Sequence, residues 1–187
     1  MSSWNDDAEP IWLATARYGL RPAPGGLALV QDFLNSRASE LQGPDLLRDS
    51  ASAEVWAAHA VHAWSVQRPT YCQPPALTDH DTTKLRDLRS VFVDGLAGVP
   101  VGHLDQFFGV VQFAATGAAE ISYVPKGRGW QWFCGALLGE ILLSRNIGSW
   151  QRLKLCRNGA CRVAFYDRTW NMSGVWHNPG ICGETVT

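Results

Sequence analysis

Residues 150–183 read WQRLKLCRNGACRVAFYDRTWNMSGVWHNPGICG, and this stretch decides what kind of protein the chain is. Cys156 and Cys161 form a C-x4-C pair. After fifteen intervening residues, His177 and Cys182 form an H-x4-C pair. Leu153-Lys154-Leu155 and Arg162-Val163-Ala164-Phe165 alternate as short strands on either side of the first pair. The Asn158-Gly159 dipeptide between the cysteines suits a tight turn. Zinc takes four nitrogen or sulfur donors at the corners of a tetrahedron, and two short-spaced pairs can supply them. The spacing predicts one structural zinc held by Cys156, Cys161, His177 and Cys182, with no coordination position left for catalysis. A segment with so few large aliphatic side chains cannot easily bury a core of its own, whereas a structural zinc supplies folding free energy of order 10 kcal/mol.

Working toward the N-terminus, the chain reads as helical. Residues 1–26 carry Pro10, Pro22, Pro24, Gly25 and Gly26, and are expected to be a loosely ordered lead-in on which Ile11, Trp12 and Leu13 could dock. From Leu27, Val30, Phe33, Leu34, Arg37 and Leu41 recur at helical spacing up to Pro44. Asp49-Ser50 suits the start of a second helix over about 51–66, and Thr78 or Asp79 could cap a third. In the third, Leu85, Leu88, Phe92 and Leu96 form one apolar stripe. A fourth helix is expected from His103 to about Ala115, and a short extended stretch over 121–124. A fifth helix, from about Trp130 to Ser144, is apolar on more than one face and should be central. The expected fold is mainly α: a domain of about five helices over 27–147, then a small zinc-bound β-hairpin module over 148–187.

Composition bounds the function. The chain has 187 residues, 46% of them hydrophobic, enough for one full core. At 18% charged and a net charge of -1 it is not a generic polyanion binder. Residues 145–187 differ: six cations (Arg145, Arg152, Lys154, Arg157, Arg162, Arg168) face two acids (Asp167, Glu184). The net is +4, which leaves -5 for the rest. The five cysteines are odd in number and the opening MSSWNDDAEP has no apolar leader. These features argue against a disulfide framework and point to the cytoplasm.

The run Trp150 to Arg168, with Asn171 to His177 and Cys182-Gly183, resembles the CGNR zinc-finger family. More weakly, Leu29-Val-Gln-Asp-Phe-Leu-Asn-Ser-Arg37 looks like the opening motif of the ABATE-type helical domain that usually precedes such fingers. The family is mostly bacterial and is described as transcriptional regulators. The resemblance therefore implies a zinc-dependent regulator, and a DNA contact through Arg152, Lys154, Arg157, Arg162 and Arg168. This chain departs from the family pattern. Cys182-Gly183-Glu184-Thr185 replaces Cys-Gly-Asn-Arg, and the Arg-rich helix into which the family continues does not follow.

A second reading takes the chain as a family member repurposed to bind or convert a small molecule, with zinc serving only as a staple. Trp56, Trp64, Trp130 and Trp132 would line a pocket for a planar or hydrophobic ligand. His59 and His62 share a helical face, and together with His80 and Cys72 they are the candidates for acid–base or nucleophilic work. For Asp79-His80-Asp81, helix capping outweighs acid–base chemistry. A third reading is a protein-interaction module around Trp170, and a homodimer fits any of the three. No phosphate-binding glycine loop, nucleophile elbow or His-Glu-x2-His motif is present.

Overall fold

The computed structural model describes residues 10–39, 42–68, 72–100, 106–115 and 121–183. The body is built from α1 (Leu13–Ala16), α2 (Leu27–Asn35), α3 (Ser50–Gln67), α4 (Asp79–Leu96) and α5 (Gly129–Asn146), with a hairpin of β1 (Val110–Ala115) and β2 (Ile121–Lys126). The C-terminal module adds a 3-10 turn at Trp150–Arg152, strands β3 (Leu153–Leu155) and β4 (Ala164–Tyr166), and α6 (Pro179–Cys182). The protein is mainly α, as the periodicity indicates. Among the described residues no helix is long and apolar enough to cross a membrane.

The helix starts follow local chemistry. Asp49 accepts the Ser52 N–H at 2.7 Å, and Thr78 forms a capping box with Asp81. Two carboxylates then gather three helix N-termini. Asp79 accepts the Ser50 N–H of α3 at 3.0 Å, while Asp81 accepts the Trp130 N–H of α5 at 3.0 Å. Negative charge at positive helix ends is stabilising, so the Asp79-His80-Asp81 segment serves as a cap. Gly129 has φ +50° and a side chain there would meet the Asp81 carboxylate, so glycine is required.

Helix α2 is buried along all nine residues. Its periodic pattern continues to Leu41, but the helix stops at Asn35. Arg17 donates to the carbonyls of Asn35 (2.8 Å), Arg37 (3.0 Å) and Pro44 (2.9 Å), capping the C-terminal end from the lead-in. The lead-in is therefore not loose over 12–20. Trp12 and Ala14 are buried, and the Thr15 N–H binds Asp32 at 2.7 Å.

The helix expected over 103–115 is not found. Val110–Ala115 is a strand, paired antiparallel with β2 so that Val111 faces Pro125 and Phe113 faces Tyr123. His103 lies outside the described residues. Val-Val-Gln-Phe is rich in β-branched and aromatic residues, and a short apolar run does not reveal its period. The hairpin rests on Gly135 and Gly139 of α5. A side-chain carbon at Gly139 would sit 2.7 Å from the Tyr123 ring.

The core is aromatic. Trp56 packs against Phe33 (5.8 Å between centroids) and Phe133 (5.2 Å), and Trp64 against Trp132 (5.9 Å) and Tyr123 (6.0 Å). Each buried indole N–H reaches a carboxylate: Trp56 to Asp32 at 2.9 Å, Trp64 to Glu140 at 2.7 Å. Complete burial pushes Asp32 up to about 6, against the lowering effect of bonds from Thr15 and Trp56. A carboxylate raised in the folded state costs stability when ionised. Its cost disappears as pH falls through 6 toward the unfolded value of 3.8. Between pH 7 and pH 5 we expect wild type to gain about 1 kcal/mol on Asp32→Asn in urea unfolding. A difference that does not change with pH would contradict this.

Candidate metal centre

The ligands come from the three short elements of the module. The β3–β4 register is fixed by Cys156 N–H to Val163 C=O at 2.8 Å and Asp167 N–H to Arg152 C=O at 2.7 Å. It places Cys156 and Cys161 at the two ends of the connecting turn. Asn158 closes that turn by accepting the Cys161 and Arg162 N–H groups at 3.0 Å each. His177 precedes α6, and Cys182 ends it. Asn178 caps α6 through the Gly180 N–H at 3.1 Å and accepts the Cys182 N–H on its own carbonyl at 2.9 Å.

This brings Cys156, Cys161, His177 and Cys182 together, with all four donor atoms within 4.8 Å of one another. His177 Nδ1 lies 3.2 Å from Cys161 Sγ and 3.5 Å from Cys182 Sγ. Bond lengths of ~2.3 Å to sulfur and ~2.0 Å to nitrogen give tetrahedral edges of roughly 3.5 Å, so the set fits one zinc with Nδ1 as the histidine donor. Burial pushes the Cys161 thiol up to about 12 and lowers His177, which keeps the ring neutral. A bound zinc would hold the thiols as thiolates, so loading releases protons.

The centre has its own small apolar shell. Cys156, Val163 and Cys182 are its buried members, and Tyr18, Leu20, Cys161 and Trp176 pack on them. Tyr18 meets the His177 ring edge-on at 6.3 Å. The module is also joined to the body. Asn35, the last residue of α2, donates to the Ala164 carbonyl at 2.9 Å and accepts the Ala164 N–H at 2.8 Å, and Gln31 adds a third bond at 3.3 Å. The Asn35 amide thus stands in for the next strand beside β4. Gln31, Asp32 and Asn35, three of the four buried polar residues of the Leu29–Arg37 motif, bind the lead-in and the module.

The five cations proposed for DNA contact divide. Arg152 donates to the carbonyls of Asp167 (3.1 Å) and Thr169 (2.8 Å). Lys154 pairs with Asp167 at 2.7 Å and donates to the carbonyls of Gly174 and Met172. Burial raises Asp167, but Lys154 and Thr169 outweigh it and hold the carboxyl well below the usual range. Arg168 binds the Pro22 carbonyl at 2.7 Å and covers the Tyr166 ring. These three fix the fold of the 167–174 loop and its contact with the lead-in. Arg157 and Arg162 instead border an open groove of about 860 Å3 between β3 and the end of α4, where Arg162 faces Asp94 at 3.9 Å.

The other candidates are not brought into one site. Trp56, Trp64 and Trp132 are core residues, and Trp130 packs edge-on against Phe107. None of the four tryptophans lines the groove beside Arg157 or the shallower one around Arg37, Asp45 and Arg89. His59 and His62 are half-buried on α3, and His80 is exposed at the start of α4. Burial raises the Cys72 thiol, which opposes a nucleophilic role. Trp170 is fully exposed. Sequence reasoning missed Tyr18, Asn35 and Glu140. Only Glu140 leaves a local signal, as a lone acid in an apolar helix.

No curated protein and no solved structure matches the chain. Residues 152–187 match the family model of the CGNR zinc finger. With four converging donors that fit one zinc ion, the C-terminal module belongs to the zinc-binding CGNR finger family.

Proposed function

We propose that the protein is a zinc-dependent regulator that contacts nucleic acid through Arg157 and Arg162. One observation carries this reading. Each arginine directly follows a metal-ligating cysteine, so the bound metal would fix the backbone from which both guanidinium groups reach along one groove. Arginine held in this way suits phosphate oxygens. The engaged cations Arg152, Lys154 and Arg168 contribute background charge. Two phosphate contacts give a salt slope near −2 on duplex DNA, a weak and strongly salt-dependent affinity.

Fluorescence anisotropy of mixed-sequence duplexes with the zinc-loaded protein tests this. Binding should weaken steadily as salt rises, and reversal of both charges in Arg157→Glu with Arg162→Glu should abolish it. Binding that survives the double reversal would refute this assignment.

A further inference from the structure

The β1–β2 hairpin has two unequal edges. β2 carries Pro125, which lacks an N–H, and Lys126, and both discourage pairing with another strand. β1, Val110–Ala115, has neither device and no charged residue. Among the described residues, β2 is the only strand beside it.

Pro125 also fixes which groups face the open edge. Proline in a strand turns its nitrogen away from the neighbouring strand. The Val111–Pro125 pair is then the non-hydrogen-bonded type. The backbone N–H and C=O groups of Val111, Phe113 and Ala115 consequently point away from β2. Beside them, apolar side chains stand in water: Phe113 is 65% exposed, Ile121 76%, Phe108 61% and Val110 57%. Phe113 and Ile121 lie on the same hairpin face as Tyr123, which packs on α5, yet both remain exposed.

We propose that β1 is a dimerisation edge, on which a second copy of this chain pairs its own β1. The pairing is antiparallel about a two-fold axis at Phe113. It sets Val111 opposite Ala115 of the other copy and Phe113 opposite its equivalent, and it joins the two hairpins into one four-stranded sheet. Two features favour a second copy over a charged partner. The strand bears no ionisable group, so pairing with itself brings no like charges together. A two-fold axis also makes the three outward residues complementary to themselves.

The exposed apolar side chains amount to on the order of 400 Å2 per protomer, or at most ~800 Å2 for the pair, below standard-size interfaces and in the range of weak, transient contacts. The dimer is therefore weak and depends on concentration. This proposal is independent of the arginine groove, which lies on the zinc module.

Sedimentation of the zinc-loaded full chain, from low micromolar to submillimolar concentration, tests it. Wild type should pass from monomer to dimer. Phe113→Lys and Ile121→Lys change exposed side chains, so both variants should keep the wild-type melting temperature and remain monomeric. Amide exchange at Val111, Phe113 and Ala115 should slow several-fold at high concentration, while Gln112 and Ala114, already facing β2, should not change. A wild-type monomer at every concentration would overturn the proposal and leave the edge to another partner. So would a dimer that persists in both lysine variants.

Discussion

Chelation of zinc from the loaded protein is expected to melt residues 153–183 while α3 and α4 stay folded. Three of the four ligands are themselves members of the module's apolar shell. Without metal, only Val163, Trp176, Tyr18 and Leu20 remain to hold it. Structural zinc contributes on the order of 10 kcal/mol to such folds, more than the Asn35 and Gln31 bonds to Ala164 and the packing of Leu153 and Ala164 on the body supply. The melting should reach the lead-in, because Tyr18 and Leu20 rest on that shell. Hydrogen exchange should therefore show protection lost over 153–183 and 18–20, and retained in α3 and α4. Unchanged protection over 153–183 in protein shown to be metal-free would contradict this.

Replacing Glu140 with alanine is expected to cost about 3 kcal/mol, the low end for breaking a buried ion pair from one side, because water reaches the partly exposed Arg68. Its carboxylate is almost fully buried. It accepts Trp64 Nε1 (2.7 Å), Tyr123 Oη (2.9 Å) and Arg68 Nε (2.9 Å), and pairs with Arg68 Nη2 at 2.5 Å. Removing it strands the Trp64 N–H and the Arg68 cation, while the Tyr123 hydroxyl keeps the Ala136 carbonyl at 3.1 Å. Burial and the adjacent carboxylate hold the Tyr123 phenol far above its ordinary range, so it remains a donor throughout. For a chain of this size the loss lowers the melting temperature by roughly 10 °C. Glu140→Gln keeps an acceptor and should lose less. Equal stability of Glu140→Ala and wild type in urea would show that the cluster carries no net stabilisation.

The features legible in the sequence are those set by neighbours in the chain. Asp49 and Thr78 cap helices three residues away, and each zinc pair spans six residues, so both could be read locally. Long-range features could not. Arg17 ends α2 through carbonyls some twenty residues distant, and Asn35 reaches Ala164 across 129 positions. Residues 110–115 carry a pattern compatible with a helix, and their strand conformation depends on β2 and on the space above Gly135. The tryptophan spacing alone does not separate a pocket wall from a core; mutual packing and the Asp32 and Glu140 acceptors place Trp56 and Trp64 in the core. The internal partners of Lys154 and Arg152 are equally remote in sequence: Asp167 engages Lys154, and the loop it organises supplies the carbonyls that take up Arg152.

X-ray absorption at the zinc edge on the purified, zinc-loaded protein tests the metal centre most directly. We expect one zinc per chain, with three sulfur neighbours near 2.3 Å and one nitrogen near 2.0 Å. Cys161→Ser should lose one sulfur from that shell. A shell of oxygen and nitrogen alone, or a wild-type spectrum from Cys161→Ser, would show that Cys156, Cys161, His177 and Cys182 do not form the centre.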